Sequence, residues 1–333
     1  SAGRVWVVVA EGGGNEDGAN VEFVERRGPV NADLTVGADL TSAERLASNC
    51  AISATGLILG SRGFVVDRQV RDAWKELNPM GASLVLPLKN GDDLLGTVRE
   101  RFVIDTHGLS ETDLRTRAPE IWQHLKDRVL PERLLNRDPR VRDRWWLHRR
   151  TNEQFRMSVE GLPEFICTAE TSKHRLFVML PSGTRAEHSL VAIGVDGKTI
   201  LGILSSRLHV LWAIATGGTL EDRPRYNKTR CFETFPIPDL SGALPGTIAS
   251  LAAAIDAHRL RQRVRAPSLT LTGMYNVLER LRQGSALSAK DREIYTRGLV
   301  APLRELHDEL DRAVFAAYGW NDLADKLVGR PGA

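Results

Sequence analysis

The sequence contains few cysteines and lacks long apolar runs. Its 333 residues include three cysteines, Cys50, Cys167 and Cys231, which are odd in number and far apart, so they favour reduced thiols over a disulfide framework. No apolar run approaches the ~20 residues that a membrane-spanning helix needs, and the first residues lack a signal-peptide pattern. We therefore expect a cytoplasmic protein without a membrane span.

The sequence also lacks recognisable catalytic and metal-binding motifs. Its eight histidines show no His-x-x-x-His spacing, and no Cys-x-x-Cys pair is present, which argues against a zinc site. Asp105 and His107 have no Gly-x-Ser-x-Gly nucleophile to complete a triad. Residues 60–63, Gly-Ser-Arg-Gly, lack the Lys-Ser/Thr ending of a phosphate loop. We predict no catalytic, cofactor-binding or metal-binding residue in this sequence.

The charge balance is nearly neutral but is strongly biased towards arginine. There are 45 basic and 42 acidic residues, a net charge of +3, and only 8 of the basic residues are lysines. Arginine is suited to bidentate contacts with phosphate and guanine. A GC-rich genome produces the same excess, so composition alone leaves nucleic-acid binding open.

Hydrophobic periodicity predicts an α+β fold, in which a mixed-sheet domain precedes a C-terminal helical bundle or spacer. An isolated hairpin at the start would be marginal in water, so we expect it to pair with strands elsewhere. We predict boundaries that give a hairpin over residues 1–30, a mixed-sheet domain over 31–240 and a helical domain over 241–333. The predicted strands are 5–9, 21–24, 81–88, 164–169, 175–180 and 190–195, with a turn over 12–20; the predicted helices are 110–133, 200–214, 247–264, one from Ser268 and one from about Pro302 to Gly319.

The most basic window lies between residues 126 and 150. It holds nine Lys or Arg against four Asp or Glu, and it surrounds Trp145 and Trp146. Arginines in such a window can contact DNA phosphates, which supply affinity and orient the protein. The alternative is a solvated face above two core tryptophans. The candidate phosphate contacts are Arg140, Arg144, Arg149 and Arg150.

A second cluster lies in the polar loop between the apolar helix and Phe235-Pro236-Ile237-Pro238. Six of its eight residues from 223 to 230 can contact phosphates or bases, and polar loops held by rigid elements often bind ligands. Asn can read adenine and Arg can read guanine, so Asn227 and Arg230 are the most testable positions. For Arg207 and Asn227 the alternative is capping of helix and loop. The candidate base-edge contacts are Lys173, Arg207, Tyr226, Asn227, Lys228 and Arg230.

Several short stretches occur in the same order as in one enzyme family. They resemble the downstream half of large bacterial DNA methyltransferases of restriction-modification systems, the fused single-chain MmeI-like type IIG enzymes and related phage-defence methylases. The helix, glycine loop, Pro-x-Pro and long-helix order is also similar to type I specificity subunits, in which spacer helices follow a target recognition domain. The stretches are residues 145–148 (WWLH), 161–163 (GLP), 170–175 (ETSKHR), 201–207 (LGILSSR), 226–232 (YNKTRCF), 235–238 (FPIP) and 316–320 (AAYGW).

This resemblance implies N6-adenine methylation with S-adenosylmethionine in the parent polypeptide, after base flipping. The sequence lacks the family's Asn-Pro-Pro-Phe/Tyr motif and its Gly-rich cofactor loop. We therefore expect a fragment of a longer protein, with the first hairpin belonging to a methyltransferase sheet. The implied function is sequence-specific recognition of double-stranded DNA for an upstream methyltransferase domain, with no cofactor bound by this chain itself.

Two other functions stay open from the sequence. The C-terminal helices could dock another subunit of a restriction-modification complex, because their apolar stripes favour packing within or between chains. The chain could also be a small enzyme of unrecognised chemistry. The sequence does not indicate the DNA target, the methylated base, an attached nuclease or the oligomeric state.

Overall fold

The computed structural model describes residues 2–10, 21–29, 40–220 and 223–330. They divide into two compact units, residues 1–45 and 46–333. The first unit contains strands β1 (Ala2–Ala10) and β2 (Val21–Pro29), which pair antiparallel with Val7 opposite Val24. The predicted hairpin strands are therefore confirmed, whereas the predicted turn over 12–20 lies outside the described residues.

The second unit combines sheets and helices, as the α+β prediction requires. Its strands are β3 (Ser53–Thr55), β4 (Val65–Val66), β5 (Val85–Lys89), β6 (Phe102–Ile104), β7 (Glu164–Ala169), β8 (Phe177–Pro181), β9 (Arg185–Ala186), β10 (Leu190–Ile193), β11 (Thr219–Leu220) and β12 (Arg223–Pro224). Its helices are α1 (Arg68–Leu77), α2 (Pro79–Ala82), α3 (Gly91–Leu95), α4 (Glu111–Arg117), α5 (Pro119–Arg128), α6 (Leu130–Leu134), α7 (Pro139–Asp143), α8 (Glu153–Val159), α9 (Lys198–Ser205), α10 (Arg207–Gly217), α11 (Lys228–Cys231), α12 (Leu244–Arg265), α13 (Leu271–Arg282), α14 (Ala289–Gly298), α15 (Val300–Ala317) and α16 (Asn321–Leu327).

Two four-stranded sheets organise this unit. One has the order β3-β10-β7-β8 and is antiparallel throughout, and the other has the order β4-β6-β5-β9 with β5 and β9 parallel. Along β7 successive side chains point to opposite faces. Phe165 and Cys167 join one hydrophobic core, and Ile166 joins another. The antiparallel sheet therefore separates two cores.

Prolines divide the predicted helix over residues 110–133 into three. Ser110 and Asp113 form a capping box at the start of α4. Pro119 is the first residue of α5, and Pro131 stands in the first turn of α6. A proline has no backbone N–H to donate, so it is well placed in the first turn of a new helix. The sequence predicted the helical content correctly, but not these two breaks.

The predicted apolar helix over 200–214 is bent at Ser206. Its two halves are α9 and α10, and the Ser206 hydroxyl donates to the carbonyl of Ile203 at 2.6 Å. Within the described residues no single helix is long and apolar enough to cross a membrane; α9 and α10 meet that test only as a pair with a 63° bend. In this structure Leu201, Ile203 and Leu204 are buried in the cores instead.

The C-terminal helices share one core with the segment before them. Ile248, Ile255 and Leu310 pack in the same cluster as Leu176 and Ile203. The apolar stripes predicted from the sequence therefore face inward. The predicted cap at Ser268 is wrong by two residues, since the Thr270 hydroxyl accepts from Gly273 at 3.0 Å. Helix α14 has no counterpart in the sequence prediction, and the boundaries at residues 30 and 240 stay predictions.

Candidate nucleic-acid interface

Two local structures present the arginines of the basic window. Pro139 starts α7, and the Asp138 carboxylate caps it by accepting from the Arg140 amide at 3.0 Å. Further along, the chain is extended: the Arg149 amide donates to Leu59 at 3.2 Å and the Arg150 amide donates to Ile58 at 3.0 Å. The short helix and the extended segment thus fix the backbone on which the predicted phosphate contacts stand.

All four predicted phosphate contacts line one open depression of about 610 Å³, here called the arginine depression. Arg140, Arg144, Arg149 and Arg150 are exposed. The lining also contains Arg133 and two acids, Asp138 and Glu153. Five arginines against two carboxylates give this surface an excess of positive charge. The structure therefore brings together residues that the sequence could only place near one another along the chain.

Arg133 lines the base of the arginine depression, and Gly60 lies behind it, against Arg149. Arg133 is 1% exposed, and it donates from Nη2 to the carbonyl of Leu59 at 2.8 Å. Burial lowers the pKa of its guanidinium. Gly60 has φ +71°, and a Cβ there would lie 2.7 Å from the Cβ of Arg149. Only glycine adopts this conformation readily and leaves room for Arg149. Residues 60–63 thus have a packing role rather than the phosphate-loop role that the sequence already disfavoured.

The two tryptophans of the basic window are core residues. Trp145 is 6% exposed and packs edge-on against Trp122 at 6.4 Å between ring centroids. Trp146 is half-buried and donates from Nε1 to the carbonyl of Leu109 at 2.9 Å. Their rings are thus packed within the protein, and the alternative interpretation of the sequence, two core tryptophans beneath a charged face, describes them correctly.

The buried ionisable groups beside the depression, His148 and Asp105, form hydrogen bonds and ion pairs within the protein. Burial lowers the pKa of His148 to about 4, so the ring is neutral at pH 7, and its Nε2 lies 2.9 Å from the carbonyl of Ile104. Burial would raise the pKa of Asp105, but hydrogen bonds from Arg156 and Arg185 outweigh it and hold that pKa well below its usual range. Asp105 is therefore an ion-pair acceptor, which is consistent with the absence of a triad.

The second basic cluster begins at a small hairpin, β11 and β12, after the apolar helix. The Arg225 guanidinium pairs with Glu170 at 2.6 Å. Next to it, the Tyr226 hydroxyl lies 2.9 Å from Nε2 of His209, and Arg175 lies 5.0 Å from the centre of the Tyr226 ring. These contacts anchor the loop to the core beneath the antiparallel sheet.

The structure corrects the base-edge predictions for Tyr226 and Arg207. Tyr226 is 1% exposed and Arg207 is 8% exposed, and neither can reach a base edge from inside the core. The backbone N–H of Arg207 donates to Asp311 at 2.7 Å, and its Nη1 donates to the carbonyl of Arg330 at 2.7 Å. Both residues hold elements together. The alternative of a capping or structural role was the better one for Arg207.

Asn227 and Lys228 are half-buried and engaged within the protein. The Asn227 side chain caps α11 by accepting from the Thr229 amide at 3.1 Å. Lys228 pairs with the buried Glu233 at 2.8 Å. These contacts favour local structural roles. To contact a base, Asn227 would have to give up its hydrogen bond to Thr229 and Lys228 its ion pair with Glu233.

Lys173 and Arg230 are the base-edge candidates that remain exposed. Lys173 lines a second depression of about 700 Å³ together with Arg99, His188 and Arg223. Arg99 and His188 were missed from the sequence, because they come from separate segments that meet only in the fold.

Among the described residues no group of three His, Cys, Asp or Glu could hold a metal ion.

Comparison with known proteins bears on this basic region directly. Residues 116–239 match the family described as "MmeI, target recognition domain". This segment is similar to the target recognition domain of MmeI. It contains the four exposed arginines of the arginine depression and the whole of the second cluster. The resemblance inferred from the short sequence stretches is thereby confirmed.

Two known proteins add to this comparison. DNA methyltransferase A of Bacillus subtilis (strain 168) is 31% identical over 99 residues, which are 29% of this chain and 11% of that protein. A solved structure of the Type IIL restriction-modification enzyme MmeI in complex with DNA matches with a TM-score of 0.66 and 18% identity. That match covers 92% of this chain and 39% of the MmeI chain. The fold is therefore shared well past residue 239, and the chain spans less than half the length of either relative.

Proposed function

We propose that this chain is the sequence-recognition module of a site-specific DNA methyltransferase of a restriction-modification system, and that it binds double-stranded DNA. The observation that carries the proposal is that the predicted phosphate contacts gather in one depression inside a target recognition domain. The solved relative of the same fold is in complex with DNA. The docking alternative has less support, since the apolar stripes of the C-terminal helices are occupied within the chain.

The arginine depression is suited to phosphate because its guanidinium groups are accessible. Within the described part of the chain, Arg140, Arg144, Arg149 and Arg150 form no side-chain ion pair, and all four are exposed. An arginine in this state keeps its donors for an incoming phosphate and releases counterions from DNA when it binds. These contacts would fix the register of the protein on the duplex and carry no sequence information.

Sequence reading then falls to the exposed residues of the second cluster. Arg230 and Lys173 can donate to the O6 and N7 atoms of guanine, and Asn227 could read adenine if it left its cap on α11. Arg230 is the strongest of these candidates, because it is exposed on α11 while the neighbouring Tyr226 fixes the loop. We expect Arg230 to discriminate at one base pair.

We propose that an upstream methyltransferase domain of the same polypeptide binds S-adenosylmethionine and methylates adenine at N6, after this module has positioned the duplex. The cytoplasmic location also stays a prediction.

A DNA-binding experiment tests the phosphate contacts. Fluorescence anisotropy of the chain with a random-sequence duplex should give a salt-dependent affinity. The double variant Arg144→Gln with Arg149→Gln should lower the slope of log K against log salt by about 1.8, since each phosphate contact contributes about 0.9. The matched control is Arg312→Gln, because Arg312 is equally exposed but lies on α15. Equal slopes in all three proteins would refute the arginine depression as the phosphate-binding surface.

Arg230→Ala tests base reading separately. Selection from a random duplex library should give a site that is degenerate at one position, with a loss of ~1–3 kcal/mol against the preferred base. Its salt slope should stay close to the parent value. A consensus identical to that of the parent chain would place the reading residues elsewhere.

A further inference from the structure

A small cavity lies where the segment matched to the target recognition domain meets the C-terminal helices, and most of the charged side chains that line it are cationic. Its volume is about 80 Å³, and its walls come from the 173–176 segment, α10, α12, α13 and α15. The basic lining residues are Lys173, Arg175, Arg207, Arg259 and Arg282, and the acidic ones are Glu279 and Asp311. The walls thus contain three more formal positive charges than negative ones.

Two of these arginines are buried without a carboxylate partner. Arg175 is 6% exposed and donates to the carbonyls of Ala169 and Pro224. Arg259 is 3% exposed and donates to the carbonyl of Phe177 and to the Tyr275 hydroxyl. In the described residues neither forms a hydrogen bond to a carboxylate. A buried cation whose hydrogen bonds go only to neutral groups is unfavourable. For Arg259 the nearby Asp256 carboxylate offsets part of this cost by charge attraction, and burial lowers the pKa of Arg175 to about 10.

The histidine in the cavity wall is kept neutral by burial and by the positive charges around it. His307 lies 2.6 Å from the Tyr275 hydroxyl. Burial lowers the pKa of His307 well below its usual value, and the charges of Arg259 and Arg282 lower it further. The ring therefore stays neutral and adds no charge. Arg282 donates from Nη2 to Asp308 at 2.9 Å, but its buried Nε has no acceptor among the described residues.

The size and lining of the cavity match one class of ligand. At roughly 10–15 Å³ per water, 80 Å³ holds about five to eight waters, which is enough room for one tetrahedral oxyanion. Guanidinium groups bind the oxygens of such anions through charge-assisted hydrogen bonds. An apolar ligand would leave the arginines uncompensated, and a cation would be repelled by them.

We propose that this cavity is a binding site for a single tetrahedral oxyanion of the phosphate or sulfate class, which links the target recognition domain to the C-terminal helices. The phosphoryl group could come from free phosphate or from the DNA backbone. Lys173 connects the two sources, since it lines both this cavity and the second depression on the surface.

Thermal unfolding of the complete chain tests the proposal. Inorganic phosphate, compared with chloride at equal ionic strength, should raise the Tm saturably, by about 2 °C at ten times Kd. Arg282→Gln should remove the saturable shift, and Lys173→Gln, a change at an exposed position that the fold tolerates, should weaken the phosphate Kd about threefold. The control is Arg280→Gln, because Arg280 lies on the same helix but is exposed and pairs with Asp291 outside the cavity.

Phosphate also stabilises proteins in general by exclusion from their surface. Arg282→Gln, which lacks the site, reports that general effect alone, whereas Arg280→Gln keeps the saturable shift in addition. An equal shift in all four proteins, or no saturable shift in the parent chain, would overturn the proposal. Measuring duplex affinity in chloride buffer shows whether the phosphoryl group comes from DNA or from the free ion. If DNA supplies the phosphoryl group, Arg282→Gln weakens duplex affinity and phosphate competes with the duplex; if the free ion occupies the site, duplex affinity is the same for Arg282→Gln and Arg280→Gln.

Discussion

The arginine depression and the oxyanion cavity use the same side chain in opposite environments. Arg140, Arg144, Arg149 and Arg150 are exposed on an open surface, whereas Arg175 and Arg259 are almost wholly buried. The exposed group keeps its hydration and gains a partner only when phosphate arrives. The buried group has lost its hydration and depends on carbonyls and hydroxyls of the fold. An arginine-rich sequence can therefore serve recognition and stability at once.

The largest expected effect comes from removing a buried arginine. Arg259→Met leaves the carbonyl of Phe177 and the Tyr275 hydroxyl without their charged donor. We expect the free energy of unfolding to fall by about 3–4 kcal/mol. Arg144→Gln, at an exposed position, should change it by less than about 0.5 kcal/mol. Urea denaturation with a constant m-value measures both. Similar losses in the two variants would break the comparison.

The free energy of unfolding should depend on pH because His148, which lines the arginine depression, is buried as a neutral ring. The pKa of His148 is about 4 in the folded chain, against an ordinary value of about 6.5. The unfolded state therefore binds more protons between these values. This contribution to stability is fully present above pH 6.5 and is lost as the pH falls towards 4, by roughly 3 kcal/mol at about 1.36 kcal/mol per pKa unit.

His148→Gln can keep the hydrogen bond to the Ile104 carbonyl, but it does not titrate. The difference in unfolding free energy between pH 7 and pH 5 should therefore be smaller in this variant than in the parent chain. A pH dependence that His148→Gln leaves unchanged would assign the effect to other groups. One such group is His209, whose pKa burial lowers to about 3.

The smallest of these effects concerns the base of the depression. Gly60→Ala introduces a Cβ at φ +71° and 2.7 Å from the Cβ of Arg149, and we expect a loss of about 1–2 kcal/mol. Gly108→Ala is the matched control, since Gly108 has φ +80° and no neighbouring atom within 4 Å of the new Cβ. Chemical denaturation of both variants separates backbone strain from the contact with Arg149. Equal losses would show that Arg149 moves aside freely.

Much of the secondary structure could be predicted from the sequence, because its signals are local. Residues 164–169 were predicted as a strand and form β7 with the same bounds. The apolar stripe of α12 was also expected, and Ile248 and Ile255 are indeed buried. The bend at Ser206 was not expected, although the polar residues Ser205, Ser206 and Arg207 interrupt the apolar stretch at that position. Polar residues also occur within unbent helices, so packing decides where the chain turns.

The site was harder to predict, because exposure is decided by the fold. Tyr226 and Arg230 stand four residues apart in one basic run, yet the first is a core residue and the second faces solvent. The burial of Tyr226 depends on its contacts with His209 and Arg175, which lie in other segments of the chain. The position of Arg149 and Arg150 in the same depression as Arg140 likewise depends on Leu59 and Ile58, about 90 residues earlier in the chain. Whether these residues contact DNA stays a prediction.

The hydrogen bond from the Arg207 amide to Asp311 has a consequence for synthesis of the protein. The two residues are 104 positions apart. At ~5–20 residues per second on the ribosome, the first turn of α10 waits about 5–20 s for its acceptor. During that time the apolar residues of α9 also lack the helices that cover them. Because they are synthesised last, the C-terminal helices complete the hydrophobic core of the segment that matches the target recognition domain. They do so although they lie outside that segment in sequence.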